Sequence, residues 1–292
     1  MDYELSFLSN SPDLQRHAVD VLAECFDEWK VFSKKSRYFP FNEYSFVATC
    51  ISNPAVIAHV GVMPFDIWDG VSKKIRCAGV ASVATSAAFR GQKIASSLCD
   101  MAAKWASLSF DILPLYTAFH RVYEVVGWKI YRDKALQLKN PFPFVQPGSA
   151  KSGKQLSKAE KEHIQKLYDA SMRFPGYVFR TADSNFHGWN RIFAEPAMKW
   201  IVNEYGYSVV IDDVLAELVS HSDRPERIKA LVQGAKYCFL SPQSAYQDVL
   251  LELGWVDDEN IPDSRGGESV MLRQINPDKP LPELFFPLVD KF

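Results

Sequence analysis

Residues 77–132 read CAGVASVATSAAFRGQKIASSLCDMAAKWASLSFDILPLYTAFHRVYEVVGWKIYR. Gly79 to Thr85 is a run of small and β-branched residues, the composition of a buried strand. Ser86 to Phe89 forms a short turn. Arg90-Gly91-Gln92-Lys93-Ile94-Ala95 then opens a helix that runs to about Leu108, with Ile94, Leu98, Met101, Ala102 and Trp105 at helical spacing. The unit is therefore strand, basic Gly-containing turn, helix. The first N–H groups of a helix lack internal partners, and the helix dipole places partial positive charge there. Phosphate oxygens fit such an end. Gly91 permits close backbone approach, and Arg90 and Lys93 add fixed charge. An ordinary strand–turn–helix connection with two solvated cations explains the same residues, and this segment alone does not decide between the two.

A second signal follows at a fixed distance. Asp111 to Ala118 reads as a strand, with Pro114 marking an edge or a bulge. Phe119 to Val126 reads as a short helical turn, and Gly127-Trp128-Lys129-Ile130-Tyr131 as the next strand. Arg90-x-x-x-x-Ala95 after a strand, then Tyr123-x-x-x-Gly127-Trp128, is similar to the acetyl-CoA-binding core of the GCN5-related N-acetyltransferase superfamily. One position departs from that pattern: Lys93 stands where the second Gly is usual. A lysine still donates its backbone N–H. The resemblance implies a cofactor, acetyl-CoA, held by Val83, Ala84 and Thr85 on the strand, by Arg90, Gly91, Gln92, Lys93, Ile94, Ala95 and Ser96 on the turn and helix, and by Ala118 and Phe119 beyond the next strand. It implies that Tyr123 gives a proton to the departing thiolate, whose basicity is close to that of a phenol of pKa about 10. Backbone N–H groups near Val83 to Thr85 would meet the oxyanion.

Composition sets bounds on the rest. The chain has 292 residues, 47% hydrophobic and 23% charged, enough for two ordinary domains with packed cores. A formal net charge of -2 gives no electrostatic case for nucleic acid or an anionic membrane. The five cysteines, Cys25, Cys50, Cys77, Cys99 and Cys238, are widely spaced and contain no C-x-x-C, so free thiols in a reducing compartment are expected. The start, MDYELSFLSN, is acidic and lacks a signal-peptide pattern, and no apolar run reaches membrane-spanning length. The expected location is the cytoplasm. His59 lies in an apolar run with no second ligand at metal spacing, so a core or pocket histidine is expected and no metal site.

The expected first domain is 1–140. Ser11-Pro12-Asp13 starts a helix with Pro at its first position, and Leu14, Ala18, Val21, Leu22, Cys25 and Phe26 form its apolar stripe. Glu24, Asp27, Glu28 and Trp29 are expected at its end. In the resembled family this region roofs the acceptor pocket, so Asp27, Glu28 and Trp29 are the substrate-binding candidates, against the plain reading of a solvated helix end. Val56 to Met63 and Phe65 to Trp68 read as strands of a meander, with Asp69-Gly70 as a turn. Residues 141–154, rich in Pro, Gly and Ser, read as a linker. Ser157-Lys158-Ala159-Glu160 is a capping box that starts a second domain, 155–275.

That second domain echoes the first. Aligning Gly254-Trp255 with Gly127-Trp128 sets Leu250 opposite Tyr123, and the corresponding loop, Ser222 to Arg227, has no Gly and contains Pro225. A second copy without a cofactor site is expected. The fold class is α/β (α+β): two tandem acyltransferase domains, each a mixed, mostly antiparallel sheet flanked by helices. Two copies, with Val62 to Trp68 leading into Ala78-Gly79-Val80, resemble the enhanced-intracellular-survival branch, whose members usually carry a further sterol-carrier-like domain for which 292 residues leave no room. Mycothiol-synthase-like tandem proteins share the two-fold layout. The tail 276–292 holds Pro277, Pro280, Pro282 and Pro287 yet ends LFFPLVDKF, too apolar for a solvated terminus. In the resembled branch the terminal carboxylate enters the first active site, which would make Phe292 a catalytic residue; a tail that only seals the groove between domains is the alternative. The function implied is transfer of an acyl group from acetyl-CoA to a primary amine of a small molecule or peptide. The alternatives are a non-catalytic CoA-binding or protein-interaction module, and acylation of a thiol or hydroxyl. Neither nucleic acid nor membrane is expected as a partner, and a homo-oligomer is compatible with this reading.

Overall fold

A computed structural model of the chain describes residues 2–8, 11–27, 30, 44–52, 55–71, 73–131, 135–143, 150–171, 175–181, 188–241, 244–258, 268–275 and 281–286. They form two seven-stranded sheets. The first runs β1 (Tyr3–Phe7), β2 (Ser45–Cys50), β3 (Val56–Trp68), β4 (Lys74–Thr85), β5 (Ile112–Thr117), β14 (Ser269–Gln274), β6 (Lys129–Ile130). The second runs β8 (Lys151–Ser152), β9 (Lys199–Asn203), β10 (Gly206–Ile211), β11 (Val214–Ser220), β12 (Tyr237–Leu240), β7 (Leu136–Lys139), β13 (Val256–Asp257). Both sheets are antiparallel except for one parallel pair each, β4 with β5 and β11 with β12. The helices are α1 (Pro12–Cys25), α2 (Ile94–Ala106), α3 (His120–Glu124), α4 (Lys158–Ser171), α5 (Trp189–Ala194), α6 (Pro225–Leu231) and α7 (Gln247–Glu252).

The two sheets exchange a strand. β7 enters the second sheet between β12 and β13, and β14 enters the first between β5 and β6. Residues 136–139 and 269–274 therefore sit across the sequence division at 140 and 275. A third crossing comes from 176–179. Trp68 donates its N–H to the Tyr177 carbonyl at 2.8 Å and Phe179 donates to Asp66 at 2.9 Å, so this segment extends β3 where β2 has ended.

The apolar stripe of α2, Ile94, Leu98, Ala102 and Ala106, packs with Val60, Val62, Ala78, Val80, Leu113 and Leu115 on one sheet face. α1 covers the other face, with Ala18, Val21 and Leu22 against Val47, Val56 and Ala84. The tail residues Leu284, Phe285 and Phe286 are buried between the two halves. Tyr131 clips them: its hydroxyl accepts from Leu284 N at 2.7 Å and donates to Leu284 O at 3.1 Å. Gly176, at φ +96°, passes so close that a Cβ there would collide with the Phe285 carbonyl.

Several local expectations change. Val56 to Trp68 is one strand rather than two. Pro64 is tolerated because β3 has lost β2 after Gly61 and does not gain 176–179 until Asp66. Pro114 lies inside the sheet rather than at an edge, on a strand whose β4 side is open beyond Ile112. α1 stops at Cys25, short of Asp27, and α2 begins at Ile94 rather than Arg90. The capping box at α4 is formed: Glu160 N–H donates to Ser157 Oγ at 3.2 Å and Ser157 N–H to Glu160 Oε2 at 2.8 Å. Such a cap contributes about 1 kcal/mol.

Candidate active site

β4 and β5 are paired only at Cys77 and Ile112. Beyond that point they part, β4 running on to Thr85 and β5 to Thr117. Their facing backbone N–H and C=O groups are left without ladder partners, which a buried sheet does not tolerate unless another group takes them. Val83, Ala84 and Thr85 line one lip of this slot. Ala118 and Phe119, both exposed, lie beyond the other.

The N-terminal end of α2 stands at the mouth. Gly91 has φ +78° and Lys93, the N-cap, φ +61°. Residues in left-handed conformation turn successive N–H groups into a concave array that accepts anions. A Cβ built on Gly91 meets nothing within 4 Å, so the ground in front of the turn is open. Arg90, Gly91, Gln92 and Lys93 are exposed, Ile94 is buried, and Ala95 and Ser96 are half-buried. The Arg90 side chain turns back over the strand end: Nε donates to the Thr85 carbonyl at 3.1 Å and Nη2 reaches Cys25 Sγ at 3.5 Å. Glu24 fastens α1 to the same loop by accepting from Ala87 N at 2.6 Å, and that bond, with one from Ser86, holds its carboxyl below the usual range. Ser96 Oγ donates to the Val122 carbonyl at 2.9 Å and ties α2 to α3.

Tyr123, on α3, is buried beside Thr117 and Cys99. Burial pushes its phenol pKa well up, the neighbouring Cys99 adds to this, and a hydrogen bond with Thr117 opposes it. Burial likewise pushes the Cys99 thiol up to about 12. The turn after Tyr123 is held by Trp128 N donating to Tyr123 O at 3.2 Å and by Gly127 at φ +95°. Arg273 locks it from outside. This residue arrives on the exchanged strand β14, donates to the Val126 carbonyl, pairs with Asp100 at 3.4 Å and lies over the Trp128 ring. No sequence signal singled out Arg273, because its place beside the Gly127-Trp128 turn depends on the strand exchange.

The slot has a second feature hidden from sequence. On β3, His59 and Gly61 are two residues apart, but their partners on β4, Ala84 and Ala81, are three apart. The extra residue makes a bulge at Ser82 and Val83, with Ser82 at φ +52°.

Other expected site residues are not gathered here. Asp27 is solvent-exposed and paired with Lys30 at 2.5 Å, an ion pair that lowers its pKa. Glu28, Trp29 and Phe292 lie outside the described residues, as does the aromatic loop 31–43.

The second sheet repeats the plan without the opening. β11 and β12 pair at Val214–Leu215 and then part. Gly254 at φ +89° and the Trp255 N to Leu250 O bond of 3.0 Å reproduce the turn of the first copy. The position matching Phe119, itself 77% exposed, is Tyr246. Its hydroxyl accepts from Ser220 N at 2.7 Å and donates to Ser220 O at 3.0 Å. Ser220 ends β11 as Thr85 ends β4; Tyr246 takes both backbone groups of Ser220, whereas the Thr85 carbonyl accepts from Arg90 Nε.

Among solved structures, this arrangement matches GCN5-related N-acetyltransferases from Kribbella flavida (TM-score 0.61, 17% identity, 94% of this chain and 72% of that one) and Anabaena variabilis (0.63, 16%, 94% and 73%). Its fold is that of the GCN5-related N-acetyltransferases, in tandem. A third match is Eis1 from Mycobacterium abscessus (0.57, 14%, 94% and 74%). No family model matches the chain, and no curated protein does. Among the described residues no helix is long and apolar enough to cross a membrane.

Proposed function

We propose that the chain transfers an acyl group from acetyl-CoA to a primary amine, at the slot between β4 and β5. The observation that carries this reading is the parting of those strands over the N-terminal end of α2, with Tyr123 buried on the adjoining helix. The residues fit the cofactor: the left-handed pair Gly91 and Lys93 offers N–H donors to a diphosphate, and the open backbone edges suit an amide-bearing pantetheine arm. When bound, acetyl-CoA supplies the acyl thioester. Val83, Ala84 and Thr85 bind and orient the arm through backbone groups. The bulged backbone at Ser82 and Val83 supplies polar groups outside the β3–β4 register, as polarising the acyl carbonyl requires. Tyr123 stays protonated across the working range, since burial raises its pKa, and so has a proton to give to the departing sulfur.

The test is thiol release from acetyl-CoA against a panel of small-molecule and peptide amines. Release that depends on a particular amine is expected. A protein that binds CoA but releases no thiol with any amine, thiol or hydroxyl would instead be a binding module.

A further inference from the structure

The geometry points to His59 as the positioning residue for the bulge of β4: its Nδ1–H, held to the Ser82 carbonyl, fixes where the Ser82–Val83 backbone stands, a role in turnover that rests on the acyl-transfer reading above.

Three separate observations meet at this point. Ser82 has φ +52°, a left-handed conformation that glycine takes freely and a residue with a Cβ takes at a cost. Such a residue persists only where its surroundings over-determine it, and these surroundings cluster at functional sites. The bulge also takes Ser82 out of the ladder with β3, so its carbonyl needs another donor. His59 is that donor: it is 1% exposed, in an apolar strand, and its Nδ1 lies 2.9 Å from Ser82 O. A carbonyl only accepts, so Nδ1 carries the hydrogen and the ring is held in one tautomer. A buried N–H is costly unless bonded, so the Nδ1–H and the Ser82 carbonyl each satisfy the other.

Gly61 completes the arrangement. A Cβ there would lie 3.2 Å from the Ala81 carbonyl, a tight approach to the strand that carries the bulge, and 3.5 Å from His59 Cε1, in ordinary contact with the ring. His59 thus bridges two strands at the one place where their backbones fail to pair. It touches the bulge, not the reacting atoms.

The test uses the full chain carrying His59→Leu, His59→Asn and His59→Gln. Asparagine presents an amide N–H at about the reach of Nδ1; glutamine carries it one carbon farther. Three readouts are taken together: the NMR amide resonances of Ser82, Val83 and Thr85, CoA affinity by calorimetry, and steady-state thiol release. In the Leu and Gln variants the resonances should move and kcat should fall on the order of 10-fold to 100-fold, the cost of a small misplacement. The KM for acetyl-CoA and the CoA affinity should change far less than kcat, since Gly91 and Lys93 are untouched, and the Asn variant should recover most of both the resonances and the rate. Unmoved resonances with unchanged kcat in His59→Leu would overturn the assignment. Equal losses in the Leu and Asn variants would also overturn it, because they mark an ordinary core residue. If His59→Leu does not fold, the comparison of Asn with Gln gives the same decision. If the unaltered protein turns over no acceptor, the transfer reading fails by itself, while the resonances still uphold or overturn the hold of His59 on the bulge.

Discussion

Lys93 occupies φ +61° at the N-cap of α2, where the resembled pattern has glycine. A side chain in that conformation costs about 1 kcal/mol or more, and glycine removes it while adding some freedom to the unfolded chain. Lys93→Gly should therefore stabilise the protein by about 0.5 kcal/mol, read as a higher urea midpoint at unchanged slope; a lower midpoint would mean that the lysine side chain contributes more than its backbone costs. Tyr123 is the residue whose removal should touch chemistry alone. Tyr123→Phe keeps the ring packed against Trp128 and should lower kcat with the CoA dissociation constant unchanged, measured by thiol release and calorimetry. An unaffected kcat assigns the proton to water or another group. His59 gives a pH signature as well. Burial lowers its pKa from 6.5 to about 4, although the Ser82 bond opposes this. In the unfolded chain it titrates near 6.5, so below that pH the unfolded state binds a proton that the folded state refuses. Stability should fall as pH drops from about 6.5 to about 4, by up to about 3 kcal/mol from this residue, and no further below. Urea midpoints of the unaltered protein and His59→Asn, compared across that window, check it; parallel curves would contradict it.

Among elements, those with backbone demands were readable and those defined by their neighbours were not. Gly91 and Gly127 mark positive φ angles, and the periodicity from Ile94 to Trp105 marks the helix between them, so the strand–turn–helix and the Tyr-x-x-x-Gly-Trp turn stood out. The exchanged strands β7, LQLK, and β14, SVMLRQ, carry ordinary alternation, and nothing in either says which sheet it joins. The bulge at Ser82 was silent because serine is no signal for φ above zero. Arg180 was equally silent, yet it joins elements across the molecule. It sits on the segment that extends β3, and its guanidinium forms a buried pair with Glu217 on β11, 2.5 Å apart, stacked on Tyr168 and Trp189. Tyr207 donates to the same carboxylate at 2.7 Å. Removing one partner strands the other charge in the core, at a cost of about 3–5 kcal/mol. Arg180→Met should lower stability by about that amount in urea denaturation, and adding Glu217→Gln should recover part of it. A single variant within about 0.5 kcal/mol of the unaltered protein would show that water reaches the pair.

At the scale of the whole molecule, one plan is used twice and opened once. Each sheet parts at its parallel pair and carries a Gly-Trp turn beside the gap. In the first, the turn into α2 holds Gly91 and Lys93 at positive φ, and Tyr123 is buried on α3. In the second, Pro225 stands at the start of α6 without a preceding glycine loop, Leu250 replaces the phenol, and Tyr246 bonds both backbone groups of Ser220. The repeat was legible in sequence through Gly254-Trp255, but the closure by Tyr246 was not, because it depends on where one hydroxyl lands. The exchanged strands and the tail clipped by Tyr131 bind the halves together, so the open slot belongs to the whole chain rather than to its first 140 residues. CoA is proposed to bind at this one slot. Calorimetric titration of CoA into the intact protein and into Gly91→Glu tests it most directly. One site per chain is expected, abolished by the acidic side chain on open ground before α2. Two sites per chain, or an affinity that Gly91→Glu leaves unchanged, would contradict it.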